Sequence, residues 1–187
     1  MRSFLMLLSL LWLTGCQTSP VEQDFDTSRS FLAYTSWSWA EPAVSFSPAD
    51  DPRVESDLTR QRIMQAVADQ LLQRGVLPAA EGQPGSLRVR THLIVEPREE
   101  KVVISHGMAV GGYWGGGWAG GPVISETRSI NSREATLQID LIDAASDELV
   151  WRGSDRMLLP ERSPSPQERE RMLRSLVQRI LSGYPPQ

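Results

Sequence analysis

The residues Ala135, Leu137, Ile139 and Leu141 alternate with Thr136, Gln138 and Asp140, and Leu87, Val89, Leu93 and Val95 alternate with Arg88, Arg90 and His92. In an extended chain successive side chains point to opposite faces, so each segment has one dry face and one wet face. Strands of this kind belong to an antiparallel sheet with one solvated side. A dry face needs a cover, and two amphipathic helices can supply it. Between Asp57 and Arg74, Ile63, Val67 and Leu71 recur at spacing four, and Gly75 follows where a left-handed C′ residue is expected. Ser165-Pro166-Gln167-Glu168 is a capping box with proline at the first helical position, ahead of a stripe formed by Leu173, Leu176, Val177, Ile180 and Leu181.

Further strands are expected at Phe31–Trp39, ended by Pro42 and Pro48, and at Leu149–Met157, which pairs with Ala135–Ile142 through the turn Asp143–Asp147. Lys101–Ser105 and Val123–Ile130 read as two arms of a hairpin. The expected fold is α+β: a two-layer sandwich with a mainly antiparallel sheet of about four or five strands and two helices packed on one face.

The 187 residues leave room for one ordinary domain, expected over 31–187. With 40% hydrophobic and 22% charged residues, the chain is neither wholly disordered nor a polytopic membrane protein. Its net charge of −4 offers no basic excess for a phosphate backbone, which argues against nucleic-acid binding.

Arg2 is followed by the apolar run Phe4–Leu13, too short for a hydrocarbon core of about 30 Å but suited to a signal peptide over 1–15. The run ends in Leu13-Thr14-Gly15-Cys16, which resembles the bacterial lipobox, and Cys16 is the only cysteine in the chain. An exported protein with one cysteine avoids a free thiol if that residue is acylated, so Cys16 is the expected lipidation site and membrane anchor. Acyl chains contribute about 0.8 kcal/mol per buried CH₂, and several together hold a protein on a bilayer without a transmembrane helix. Residues 16–30 are then the lipidated N-terminus and tether. Gln17 follows the cysteine, where an aspartate resembles the inner-membrane retention signal of enterobacterial lipoproteins; the expected address is therefore the periplasmic face of the outer membrane.

The order of these features resembles a family of Gram-negative lipoproteins classed as domain of unknown function 4136. The likeness runs through Asp24-Phe25-Asp26, the aromatic pattern Phe31, Tyr34, Trp37 and Trp39, the helix end Arg74-Gly75-Val76, the strand pair Leu137–Ala144 and Leu149–Gly153, and the tail Ile180–Pro186. Val76 stands where the family usually has an aromatic residue, and Ser86 where it often has an aspartate. The resemblance implies an envelope lipoprotein of α+β architecture with no established enzymatic activity.

Residues 107–121 hold eight of the 14 glycines together with Tyr113, Trp114 and Trp118. Glycine's backbone freedom makes a helix untenable there and predicts a mobile connection between strands. The plain reading is a hairpin tip. The functional reading is a contact surface, in which Tyr113, Trp114 and Trp118 engage a partner or ligand.

Catalytic and metal chemistry find no support. No P-loop, Gly-x-Ser-x-Gly elbow or Ser-x-x-Lys motif occurs, and His92 and His106 are the only histidines. Asp140 and Asp143 are three apart and expected on opposite faces, suited to solvation and turn making rather than acid–base work. Trp37, Trp39 and Trp151 are expected to pack in the core or on the sheet, while Arg88 and Arg90 form a solvated face or pair with neighbours such as Asp140. The expected function is a non-enzymatic interaction or scaffolding component of the cell envelope, without cofactor or metal, that meets an envelope protein partner. The alternative is a binding module for a lipid, glycan or small apolar ligand.

Overall fold

A computed structural model describes residues 21–49, 51, 54–106 and 124–186. Nine elements follow one another: β1 (Glu22–Phe25), a 3₁₀ turn (Phe31–Ala33), β2 (Ser36–Ser47), α1 (Asp57–Gln73), β3 (Leu77–Pro78), β4 (Leu87–His106), β5 (Ile124–Asp143), β6 (Leu149–Leu159) and α2 (Pro166–Leu181). The strands form one sheet in the order β1-β6-β5-β4-β2-β3. The α+β class and the two helices agree with the sequence, while the sheet has six strands rather than four or five.

The sheet is also mixed. β4, β5, β6 and β1 pair antiparallel in turn, but β2 runs parallel to both β4 and β3. A parallel pair cannot be joined by a hairpin, and here α1 supplies the crossover between β2 and β4. The antiparallel expectation fails because alternation reveals which face is wet but not which direction the neighbouring strand runs.

Three boundaries differ from those expected. Phe31–Ala33 is a 3₁₀ turn, and the strand begins at Ser36 and runs through Pro42 to Ser47. Its pairing with β4 shifts register between Trp39 and Val44, so Pro42 falls in a bulge where no ladder bond is required of its missing N–H. The two arms expected at Lys101–Ser105 and Val123–Ile130 are not separate strands: β4 and β5 are each continuous over 20 residues. Within the expected tether 16–30, Glu22–Phe25 adds an edge strand to β6.

Both helices cover the dry face. Ile63, Val67 and Leu71 of α1, and Leu176, Val177, Ile180 and Leu181 of α2, are completely buried against Leu87, Val89, Leu137, Ile139, Leu141 and Trp151. Gly75 adopts φ +79° beyond α1, and the Ser165–Glu168 capping box opens α2, both as the sequence predicts. The helices are tied together by Arg174–Asp69 at 2.6 Å and by the Arg74 guanidinium, whose Nε donates to the Leu181 carbonyl at 2.7 Å. The tryptophans are structural as expected: Trp37 is buried edge-on to Trp39, and Trp151 lies edge-on to Tyr184.

Gly153 shows how closely α2 approaches β6. A Cβ there would run into the Trp151 ring and the Ile180 side chain. Gly153→Ala is therefore expected to destabilise the fold by about 1–3 kcal/mol as Trp151 and Ile180 are forced apart. Thermal unfolding should show a drop of roughly 2–4 °C per kcal/mol.

Candidate functional site

Most polar side chains that sequence reasoning singled out have structural partners. Asp140 is not solvated: it is buried, faces Arg152 across the β5–β6 ladder, and accepts Nε at 2.7 Å and Nη2 at 2.8 Å in a two-pronged ion pair. Arg90 stands opposite Asp140 on β4, and Asp24 opposite Arg152 on β1, so charges alternate in sign across four strands of the wet face. Arg88 pairs with Asp147 rather than Asp140. On the same face the Ser45 hydroxyl lies 2.6 Å from His92 Nδ1.

Asp143 makes the expected turn, since its carboxylate accepts the Ala145 amide at 2.8 Å and the Ser146 amide at 3.0 Å. It does more than that. The same group accepts the Tyr34 hydroxyl at 2.8 Å and Arg29 at 3.2 Å, while Arg29 also binds Asp26 and Glu148. This network fastens the segment after β1 to the β5–β6 turn. The Tyr34 hydrogen bond and the two amides hold the Asp143 carboxyl below its ordinary value, whereas burial, followed by the bond to Asp143, pushes Tyr34 up to about 12. Burial likewise pushes Tyr184 up to about 12.

These clusters consist of satisfied ion pairs and explain stability, not chemistry. Among the described residues no group of three or more His, Cys, Asp or Glu side chains could hold a metal ion, and no helix is long and apolar enough to cross a membrane.

Two features at one end of the sheet have no such structural account. The first is an extension. β6 pairs with β5 only as far as Arg133, and β2 pairs with β4 only as far as Ile94. Beyond them, among the described residues, nine register pairs from Arg98↔Ser132 to His106↔Ile124 join β4 to β5 alone. At about 3.3 Å per residue this two-stranded ribbon projects about 30 Å from the body. Its ends lead directly into the segment that carries Tyr113, Trp114 and Trp118, which lies outside the described residues, as does Cys16.

The second feature is a cleft of about 410 Å³ on the dry face at the base of the ribbon, between the starts of both helices and the sheet. Val54, Leu93, Val95, Met157, Leu159 and Met172 line its floor and sides, with Arg133 and Arg169 also in its wall. Sequence reasoning did not find it. The available signal was Arg133, which occupies a dry-face position where the alternation of Ala135, Leu137 and Ile139 calls for an apolar residue.

The architecture defines a two-layer α+β domain with a mixed sheet and a protruding hairpin. The family described as Domain of unknown function (DUF4136) matches residues 21–186, and the chain belongs to it. No curated protein matches the chain. Among solved structures, a PDZ domain protein from Parabacteroides distasonis is similar at 14% identity and a TM-score of 0.52. That match covers 90% of this chain but 36% of the other, so the chain spans about a third of that protein. A DUF4136 family protein from Bacteroides thetaiotaomicron matches at 14% identity over 88% of this chain and 95% of its own, with a TM-score of 0.46. A PelC dodecamer from Paraburkholderia phytofirmans matches at 14% identity over 87% of this chain and 94% of its own, with a TM-score of 0.43. At such identities the likeness concerns the fold alone.

The two raised tyrosines give a pH dependence of defined sign. In the unfolded chain both ionise near 10.0, so stability is fully present below that value and falls as pH rises through about 12. Asp143 acts at the other end: its contribution is present above its ordinary value and is lost as pH falls below it. A tyrosinate absorbance titration, paired with melts, should show Tyr34 and Tyr184 ionising late. Tyr34→Phe should remove one late step and cost about 1 kcal/mol, less than a fully buried charged hydrogen bond.

Proposed function

We propose that the chain is a membrane-anchored, non-enzymatic interaction module of the cell envelope, held by acylated Cys16 at the periplasmic face of the outer membrane. Its ribbon presents Tyr113, Trp114 and Trp118 to an envelope protein. The observation that carries this reading is the unshared pairing of β4 with β5 over nine residue pairs. A two-stranded hairpin is marginally stable alone in water, and its exposed edges invite pairing with another chain. A long projection of that kind adds nothing to the core, so its use lies at its far end or along its edges. Tryptophan and tyrosine supply large contact areas at small entropic cost, which suits the segment that the ribbon carries. The lipobox-like Leu13-Thr14-Gly15-Cys16 supports the anchor. The satisfied ion pairs of Asp140 and Asp143 support a non-enzymatic role.

A photo-crosslinking residue in place of Trp118, in the full-length protein and in its own cells, tests the contact. A discrete protein adduct that disappears with Trp114→Ala is expected. Adducts confined to lipid or glycan, or no adduct, would overturn the protein-partner reading. Cys16→Ala should shift the protein from the membrane fraction to the soluble fraction; an unchanged distribution would overturn the anchor.

A further inference from the structure

The cleft at the base of the ribbon is an unfinished piece of core. Val54, Leu93, Ala135 and Leu173 in its wall are buried, whereas Val95, Met157 and Leu159 lie half-buried at the rim of the same cluster. Completed burial of such apolar surface is worth about 25 cal/mol per Å², and nothing within the described residues supplies it. Its volume of about 410 Å³ lies within the size range of small-molecule sites.

The charge at its wall selects among apolar occupants. Arg133 points from the dry face of β5, in register with Pro97 on β4 and Leu159 on β6. Arg169 stands on the first turns of α2, and its side chain donates to the Pro164 carbonyl at 3.0 Å. Among the described residues neither arginine has a carboxylate partner. The nearby acids are engaged elsewhere: Glu134 by Arg98 at 2.6 Å, Glu168 by Arg162 at 2.8 Å and by the Ser165 amide, and Asp155 by Arg179 at 2.6 Å. Glu99 and Glu161 border a neighbouring hollow with Arg133 and form no ion pair with it. The first turn of α2 is already served by its capping box, so positive charge at the cleft comes from the two guanidinium groups.

We propose that this cleft binds a single acyl chain that ends in a carboxylate, a long-chain fatty carboxylate. The chain lies against Val95, Met157, Leu159 and Met172, and the carboxylate meets Arg133 and Arg169. A guanidinium fork matches a carboxylate in geometry and charge, and an apolar wall with few polar groups fixes the orientation of such a ligand.

The test illuminates the full-length protein with a diazirine-bearing palmitate and maps adducts by peptide mass spectrometry. Adducts on the peptides that contain Met157 and Met172 are expected. Ser163→Trp, an exposed position in the cleft wall, should abolish them by filling the space. Arg133→Glu and Arg169→Glu should each weaken labelling by about tenfold through loss of a charge-assisted hydrogen bond. A neutral diazirine-bearing fatty alcohol should remain insensitive to both arginine changes. Matching thermal melts confirm that the variants are folded. Absence of adducts from those peptides, or equal labelling in Ser163→Trp, would overturn the site. Equal labelling in both arginine variants would overturn the carboxylate. Labelling by a diazirine-bearing two-chain phosphatidylglycerol in vesicles, with none by palmitate, would overturn the single-chain ligand.

Discussion

A strand rises about 3.3 Å per residue and a helix about 1.5 Å, and the layout of this domain follows from that mismatch. α1 has 17 residues and α2 has 16, which gives each a length near 25 Å. β4 and β5 have 20 residues each, which gives roughly 66 Å. Helices of this length cannot cover such strands. They bury the half that contains Leu87, Val89, Leu137, Ile139 and Leu141, and the other half outruns them. Where the cover stops, the dry face opens as a cleft; further on, β4 and β5 continue without neighbours among the described residues.

This division explains how the polar groups are spent. In the covered half, charge on the wet face is neutralised strand by strand, as in Asp140 with Arg152, and the N-terminal segment is fastened by Arg29, Tyr34 and Asp143. Even the one carboxylate on the dry face of β6, Asp155, is answered from α2 by Arg179. At the open end Arg98 and Arg156 pair with Glu134, but among the described residues Arg133 and Arg169 stand beside apolar surface without a carboxylate. The proposed carboxylate ligand rests on those two guanidinium groups beside an apolar wall.

The sequence made the covered half legible because period and capping are local signals. Spacing four in α1, the Ser165–Glu168 box and the alternation of β5 each rest on a few adjacent residues, and Gly75 marked the end of α1 through its own backbone requirement. What escaped depends on distant partners. The parallel pairing of β2 with β4 is set by a crossover, and the passage of β2 through Pro42 needs a bulge that only the neighbouring strand defines. The continuity of β4 through Pro97 is possible because that proline sits where β4 has lost β2 on one side. Local rules make proline a breaker there, and tertiary context removes the ladder bond that would have been broken.

Chain direction links the open end to the proposed anchor. β1 runs antiparallel to β6, with Glu22 opposite Ser154, and β6 runs toward Leu159 at the base of the ribbon. Glu22, the first residue of β1, therefore stands at the end of that strand nearer the cleft and the ribbon, away from the β5–β6 turn. Cys16 precedes Glu22 by six residues, which span at most about 22 Å, while the ribbon extends about 30 Å beyond the body. An acylated Cys16, as proposed, would therefore keep the start of β1 within about that 22 Å of a bilayer.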